Sequence, residues 1–265
     1  LKKEVKQFLR WSSMIKKQRV GITGANGTIG RVLLDGLKSE YELTAFSRRK
    51  VDFPTNIVNF DCPEEVMGKF EGLDAIIHLA ADPSPLAPWE SVRRHNVEAM
   101  YQVVEECVRS NVKRLVFAST NHTMHGHTML TSPETLDATK SVRMKLSDTP
   151  NPDSLYAVSK LFGENLGKLY SEKWGLEFIS LRIGWMIKQD DPTVMRDTPS
   201  EDYMRAMFLS QRDCVQAHVK ALEVKSNFLI AYVVSNKGRR VFDLEETKIN
   251  LGFDPKDDAE KFFAR

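Results

Sequence analysis

The chain has 265 residues, a formal net charge of +2, 42% hydrophobic and 28% charged content, and three cysteines. That length suits one large α/β domain or two small ones, and the near-neutral charge gives no reason to expect nucleic acid as a partner. Cys62, Cys107 and Cys214 cannot complete a disulfide framework and lack metal-ligand spacing, which excludes a stapled secreted scaffold and points to the reducing cytoplasm. Apolar runs such as Phe228 to Val234 fall far short of the roughly 20 residues of a membrane helix, so no membrane association is expected from them.

Residues 1–19 stand apart, with seven basic groups against one acidic. Leu1, Val5, Phe8, Leu9 and Trp11 form an apolar stripe at helical spacing, as an organellar targeting segment or a membrane-surface helix would have. Glu4 and the lack of Arg and Ser richness favour the plainer reading, a solvated basic extension over residues 1–17.

From Gln18 strands and helices alternate. Gln18 to Thr23 reads as a strand entering the turn Gly24-Ala-Asn-Gly27-Thr-Ile-Gly30, behind which Ile29, Val32, Leu33 and Leu37 recur at helical spacing. Further strands are predicted at Glu42 to Ser47, Asn56 to Phe60, Ala75 to Leu79, Arg114 to Ala118, Glu177 to Arg182 and Ala231 to Val234. Helices are predicted at Val97 to Val108 and Tyr156 to Trp174. The alternation implies an α/β fold: a doubly wound parallel sheet of about seven strands with both faces covered. The stretches 126–153 and 188–200 are long for structureless loops and suit a lid or substrate rim.

Two motifs carry chemistry. Gly24, Gly27 and Gly30 lie between a predicted strand and helix, where a backbone can approach a pyrophosphate and a helix N-terminus favours negative charge. Their G-x-x-G-x-x-G spacing departs from the usual G-x-G-x-x-G fingerprint. Tyr156 and Lys160 are four residues apart and project from one helix face, where an ammonium favours the phenolate that base catalysis requires. Ser119 and Thr120 follow the fifth strand, at the carboxyl end where open α/β sheets bind ligands. The second strand ends in Phe46-Ser-Arg-Arg-Lys50, without the carboxylate that accepts from an NAD ribose. This favours NADP, with Ser47 and Arg48 at the 2′-phosphate, over NAD. His122, His125 and His127 fit a polar rim better than a metal site, since no carboxylate or thiolate is evident nearby in sequence; no metal is expected.

Thr23 to Gly30, His78-Leu-Ala-Ala81, Asn96, Val116 to His122 and Tyr156-Ala-Val-Ser-Lys160 occur in the order found in extended short-chain dehydrogenases of the NAD-dependent epimerase/dehydratase family, which the chain resembles. Within that family it is most similar to the uronate dehydrogenases, through Phe117 to His122, Leu155 to Asn165, Leu181-Arg-Ile-Gly184 and Leu251 to Glu260. The resemblance covers about residues 18–262 and implies a single NAD(P)-binding Rossmann domain over 18–265. Substrate-binding elements would come from 120–155 and 183–262, the latter including a small C-terminal region. Tyr156 would be the base, Lys160 would lower its pKa and bind the nicotinamide ribose, Thr120 would hold the reacting oxygen, and Asn96 would support a proton-relay water. Gly24, Asn26, Gly27, Thr28, Ile29, Gly30 and Ser119 would join Leu79, Ala80 and Ala81 around the dinucleotide, with Asp61 at the adenine. Asn121 and His122 would contact the sugar. A homodimer through the helices at 97–108 and 156–173 is also implied.

Two departures bear on the substrate. Where uronate dehydrogenases have a small Ser after R-I-G, this chain has Trp185, which would fill space near the sugar. The arginine that grips the substrate carboxylate has Arg205 as its nearest, displaced counterpart. The favoured reading is oxidation of a hexuronate C1 hydroxyl to the aldarolactone. A neutral or phosphorylated aldose dehydrogenase, a nucleotide-sugar epimerase or dehydratase, and a non-catalytic dinucleotide sensor remain as alternatives. Dehydratases carry an acid where this chain has Asn121, and sensors typically lose the Tyr/Lys pair.

Overall fold

The computed structural model describes residues 17–127, 143–235, 239 and 241–264. The basic segment before residue 17 and most of the 126–153 stretch therefore lie outside the described residues. Seven strands form one parallel sheet in the order β3-β2-β1-β4-β5-β6-β7. They are β1 (Arg19–Thr23), β2 (Glu42–Ser47), β3 (Thr55–Ile57), β4 (Ala75–His78), β5 (Arg114–Thr120), β6 (Glu177–Ile183) and β7 (Phe228–Val233). The order reverses between β1 and β4, which pair with Thr23 beside His78, so the switch-point crevice opens at the ends of these two strands.

The helices are α1 (Thr28–Leu37), α2 (Pro63–Val66), α3 (Trp89–Val92), α4 (Ala99–Arg109), α5 (Leu155–Trp174), α6 (Glu201–Met207), α7 (Gln211–Glu223), α8 (Glu245–Leu251) and α9 (Ala259–Phe263). On one face of the sheet Leu33, Leu34 and Leu37 of α1 pack with Cys214, Ala217 and Ala221 of α7 against Ile22, Ile77 and Val116. On the other, Met100, Val103, Val104 and Cys107 of α4 pack with Tyr170 of α5 against Ile76, Leu115, Phe117 and Phe178. Every residue of β4 and β5 is buried, as strands covered on both sides require.

Two elements differ from the sequence expectation. The third strand is three residues long, because Val58 and Phe60 turn inward to the core and a turn closed by Cys62 N–H on Asn59 O leads into Pro63. The helix expected from Val97 starts eight residues earlier, at Trp89, and passes through a π turn over Arg93–Glu98 before α4. At that turn Ala99 N–H reaches back to Arg94 O, five residues away, a geometry invisible to a 3.6-residue periodicity. Among the described residues no helix is long and apolar enough to cross a membrane.

Candidate active site

The dinucleotide half of the site begins where β1 ends. Gly24 has φ +67°, and a Cβ there would stand 2.7 Å from the Ala80 nitrogen; the turn is thereby pressed against the end of β4. A Cβ on Gly30 would lie 2.6 Å from the Gly24 oxygen and 2.7 Å from the Ala25 Cα, so α1 starts directly against the turn. Thr23 Oγ1 accepts from the N–H groups of Leu79 (3.1 Å) and Ala80 (3.2 Å) and bonds His78 Nδ1 at 2.8 Å, tying the two strand ends together. No side chain caps the N-terminus of α1, which leaves its first N–H groups for an anion. Asn26 is spanned by Arg31, whose Nη2 donates to Oδ1 at 2.6 Å and whose Nε donates to the Asn26 carbonyl at 3.1 Å. Arg31 is a cation beside this anion site that sequence reasoning missed. Thr28 is exposed, and Ile29, Leu79, Ala80 and Ala81 are half-buried along the crevice.

Ser47 is buried at the end of β2, its hydroxyl accepting from Arg49 N–H at 3.3 Å, and Arg48 is exposed beside it. The Asp61 side chain is only 1% exposed and meets Arg94 Nη2 at 2.6 Å, yet neither carboxylate oxygen has a hydrogen bond of good geometry. Both cations stand at Oδ2, Arg94 at 2.6 Å and His95 Nδ1 at 3.8 Å, and the buried Oδ1 suits an exocyclic amino group. The tight glycine turn, the open helix end and this carboxylate fit an adenine dinucleotide.

The chemistry-bearing half lies across the ends of β4, β5 and α5. Ser154 caps α5, accepting from Ala157 N–H at 3.2 Å, and so sets the phase of its first turn. Tyr156 meets Thr120 at the end of β5, and Lys160 lies one turn further along α5. The Lys160 Nζ stands 4.8 Å over the Phe117 ring and 5.8 Å from the Tyr156 ring centroid. Burial brings the Lys160 ammonium down to about 7 and, with Lys160, holds His78 neutral down to about 3. The sequence reading had Lys160 lowering the Tyr156 pKa. In the structure burial raises the phenol above its ordinary value, and hydrogen bonding with Thr120 is what pulls it back. Desolvation disfavours charge on both partners, so the phenolate needs more than the lysine alone.

Asn96 sits in the π turn. Its Oδ1 accepts from Asp82 N–H at 2.8 Å, while Nδ2 donates to the Asp82 carbonyl at 3.1 Å and to Ser159 Oγ at 3.0 Å. It thus joins the segment after β4 to the turn of α5 that carries Tyr156. Ser119, expected at the cofactor, donates instead to Glu164 Oε1 at 2.7 Å, and Glu164 makes a bidentate buried pair with Arg182 at 3.0 and 2.8 Å. This pair fastens β5, β6 and α5 behind Thr120.

On the substrate side the side chains hold one another. Asn121 Nδ2 donates to Tyr203 Oη at 2.8 Å and lies 2.9 Å from His125 Nε2, while its Oδ1 accepts from Thr120 Oγ1 at 3.3 Å. Asp153 Oδ2 accepts from Nδ1 of both His122 (2.8 Å) and His125 (3.1 Å), since a carboxylate only accepts, which leaves each Nε2 as the acceptor nitrogen of the neutral ring. These bonds hold the Asp153 carboxyl far below the usual carboxylate range against its burial, and burial lowers His125. Asp153 is the carboxylate that the sequence reading did not find near the histidines, because it lies about thirty residues away in the chain. His122, His125 and Asp153 bring three ligand-type atoms within 4.8 Å. His127 is apart from them, bonding the Thr149 carbonyl at 2.8 Å.

Arg205 does not join the group around Asn121. Tyr203 and Arg205 are two positions apart on α6, about 200° around a helix. Tyr203 reaches Asn121, while Arg205 is held by Glu201 at 2.7 Å and Glu260 at 2.7 Å and lies 4.4 Å over the Phe263 ring. Trp185 stands next to that group, its ring 5.5 Å from that of Tyr203.

A parallel sheet with a glycine turn at its switch point and a Tyr/Lys helix beside it defines a dinucleotide-binding fold of the Rossmann type. Residues 20–187 match the model of the NAD dependent epimerase/dehydratase family, and the chain belongs to that family. Over 91% of its length it is 38% identical to L-arabinose 1-dehydrogenase (NAD(P)(+)) of Haloferax volcanii, covering 97% of that protein. It is 30% identical to the uronate dehydrogenase of Pseudomonas putida, with 93% of this chain and 87% of that one aligned. The crystal structure of uronate dehydrogenase from Agrobacterium tumefaciens superposes with a TM-score of 0.77 at 25% identity, over 93% of this chain and 87% of the other.

Proposed function

We propose that the protein oxidises the C1 hydroxyl of a neutral aldose to the aldonolactone with NAD(P)+. The observation that carries this reading is the grouping of Tyr156 with Thr120 at the end of β5 and with Lys160 one helical turn on, at the same sheet edge as the Gly24 turn. A bound oxidised nicotinamide would supply the acceptor for the C1 hydride. The turn at Gly24, Gly27 and Gly30, with Leu79, Ala80, Ala81 and Lys160, would hold the dinucleotide, Asp61 its adenine amino group, and Ser47 and Arg48 the 2′-phosphate of NADP. Thr120 donates a hydrogen bond to the reacting oxygen and Tyr156 takes its proton; Lys160, positively charged when the site is loaded, stabilises the resulting phenolate. Asn96 fixes the turn of α5 on which Tyr156 stands. His122, oriented by Asp153, presents an acceptor nitrogen to a sugar hydroxyl.

The hexuronate reading rested on Arg205 as a carboxylate clamp. With that guanidinium committed to Glu201 and Glu260, a neutral sugar is the better fit. The 38% identity to an arabinose dehydrogenase supports it. Uronate oxidation is kept as a second reading on the TM-score of 0.77 to a uronate dehydrogenase. Incubating the protein with NADP+ or NAD+ and a sugar panel, and following reduced nicotinamide by absorbance, tests both substrate and cofactor. Equal or better kcat/KM with NAD+ would refute the assignment of Arg48. Tyr156→Phe keeps the ring and is expected to lower kcat by about 10²–10⁴-fold with dinucleotide affinity unchanged. The exposed Tyr101, Val158 and Phe162 on α4 and α5 support the homodimer, which light scattering would test.

A further inference from the structure

The wall of the site opposite the glycine turn bears on the size of the sugar. Trp185 lies just beyond β6, where its N–H donates to Met207 O at 2.6 Å and its carbonyl accepts from Leu209 N–H at 3.0 Å. Its indole backs the Tyr203 ring at 5.5 Å. The Tyr203 hydroxyl accepts from Asn121 Nδ2 at 2.8 Å and donates to His125 Nε2 at 3.0 Å, and Asn121 bonds Thr120. The Tyr203 ring is therefore held at its hydroxyl, and the main chain that carries Trp185 is pinned beside it. Turning the Tyr203 ring breaks its bonds to Asn121 and His125.

We infer that Trp185 and Tyr203 form an aromatic wall that selects pentopyranoses over hexopyranoses and hexuronates by leaving no room for a carbon substituent at C5. This rests on the aldose 1-dehydrogenase reading above. A pyranose with its C1 oxygen between Thr120 and Tyr156 has C2 on one side of C1 and the ring oxygen, then C5, on the other. Hydroxyls at C2, C3 and C4 are common to all three classes and cannot tell them apart. The C5 substituent is the difference: hydrogen, hydroxymethyl or carboxylate. A hydroxymethyl group pressed on an indole face loses water without gaining a hydrogen bond. A carboxylate loses more, with Arg205 already held by two glutamates. One carbon against an apolar pocket is worth about 10–200-fold in discrimination.

Two matched sets isolate that group. L-Arabinose, D-galactose and D-galacturonate share one configuration at C2 to C4, and D-xylose, D-glucose and D-glucuronate share another. In whichever set is oxidised, the pentose is expected to have at least tenfold the kcat/KM of its hexose, with the uronate lower still. Trp185→Ser should cut the pentose-to-hexose ratio at least fivefold, and Trp185→Phe by less, with dinucleotide affinity and melting temperature reported alongside. Oxidation at equal or reversed efficiency within a set would overturn the wall while leaving the aldose reading intact. So would an unchanged ratio in a folded Trp185→Ser protein. Should that variant not fold, the wild-type ratios and Trp185→Phe decide. Oxidation of none of the six sugars would overturn the reading and the inference together.

Discussion

Replacing Lys160 by Met should make the protein without dinucleotide more stable while abolishing its activity. Lys160 is 4% exposed, and burial brings its ammonium from 10.5 down to about 7. Between these values the unfolded chain keeps a proton that the folded protein has lost, so wild-type stability rises with pH across the window from about 7 to 10.5. Below 7 both states are protonated and the destabilisation is complete. At pH 7.5 the full shift corresponds to about 4 kcal/mol, with a slope near 1.4 kcal/mol per pH unit. Structural relaxation and water entry reduce this, and a gain of at least about 1 kcal/mol for Lys160→Met is expected at pH 7.5. Methionine matches the aliphatic stem in volume and leaves no cavity over Phe117. Urea unfolding of both proteins at pH 6.5, 7.5, 8.5 and 9.5 checks the prediction. The stability difference should be largest at the two lower values and shrink steadily above them. A difference constant across the series, or a variant less stable than wild type at pH 7.5, would refute the reasoning.

Gly24→Ala forces a Cβ to within 2.7 Å of the Ala80 nitrogen at φ +67°; a loss of about 1–3 kcal/mol in denaturant titration is expected, with dinucleotide binding weakened by fluorescence titration. Arg205→Ala should leave kcat/KM for every oxidised sugar within about twofold, yet cost about 1–2 kcal/mol as Glu201 and Glu260 lose their shared partner. Asp153→Asn removes the charge at the oxygen that both histidines share and puts an amide NH2 where Oδ1 accepts from Ser154 Oγ at 2.8 Å. Its kcat is expected to fall about 10–100-fold through misplacement of His122, with dinucleotide affinity by fluorescence unchanged.

The parts of this site that can be read from sequence are those whose spacing is local. Gly24, Gly27 and Gly30 lie within one turn and Tyr156 and Lys160 within another, and buried parallel strands announce themselves as apolar runs. What stayed hidden depends on contacts between distant segments. Asp153 meets His122 across 31 positions, and Tyr203 meets Asn121 across 82. Neither residue type is unusual on its own. Arg205 shows the converse: position near a motif suggested a ligand clamp, but the phase of α6 and the arrival of Glu260 from α9 decide where its guanidinium goes. Ser119 likewise stands where a cofactor residue was expected, and is claimed by Glu164 once β5, β6 and α5 are brought together. The site's outline could thus be inferred, but not the pairing of its polar groups.

The π turn at Arg93–Glu98 means that the helix from Trp89 to Arg109 is phased twice. Its downstream part must present Met100, Val103, Val104 and Cys107 to the sheet, a requirement of packing alone. Its upstream part must hold Asn96 against Ser159 and Asp82, a requirement of the site. The wide turn absorbs the mismatch as a vernier does, letting two registers coexist on one rod. Deleting a single residue between 93 and 98 would close the wide turn to regular pitch, with the valines of α4 still on the sheet. The residues of the turn itself would shift, and Asn96 would leave Ser159 and Asp82. A one-residue change of length here therefore reaches α5, through Ser159, more directly than most substitutions along the same surface.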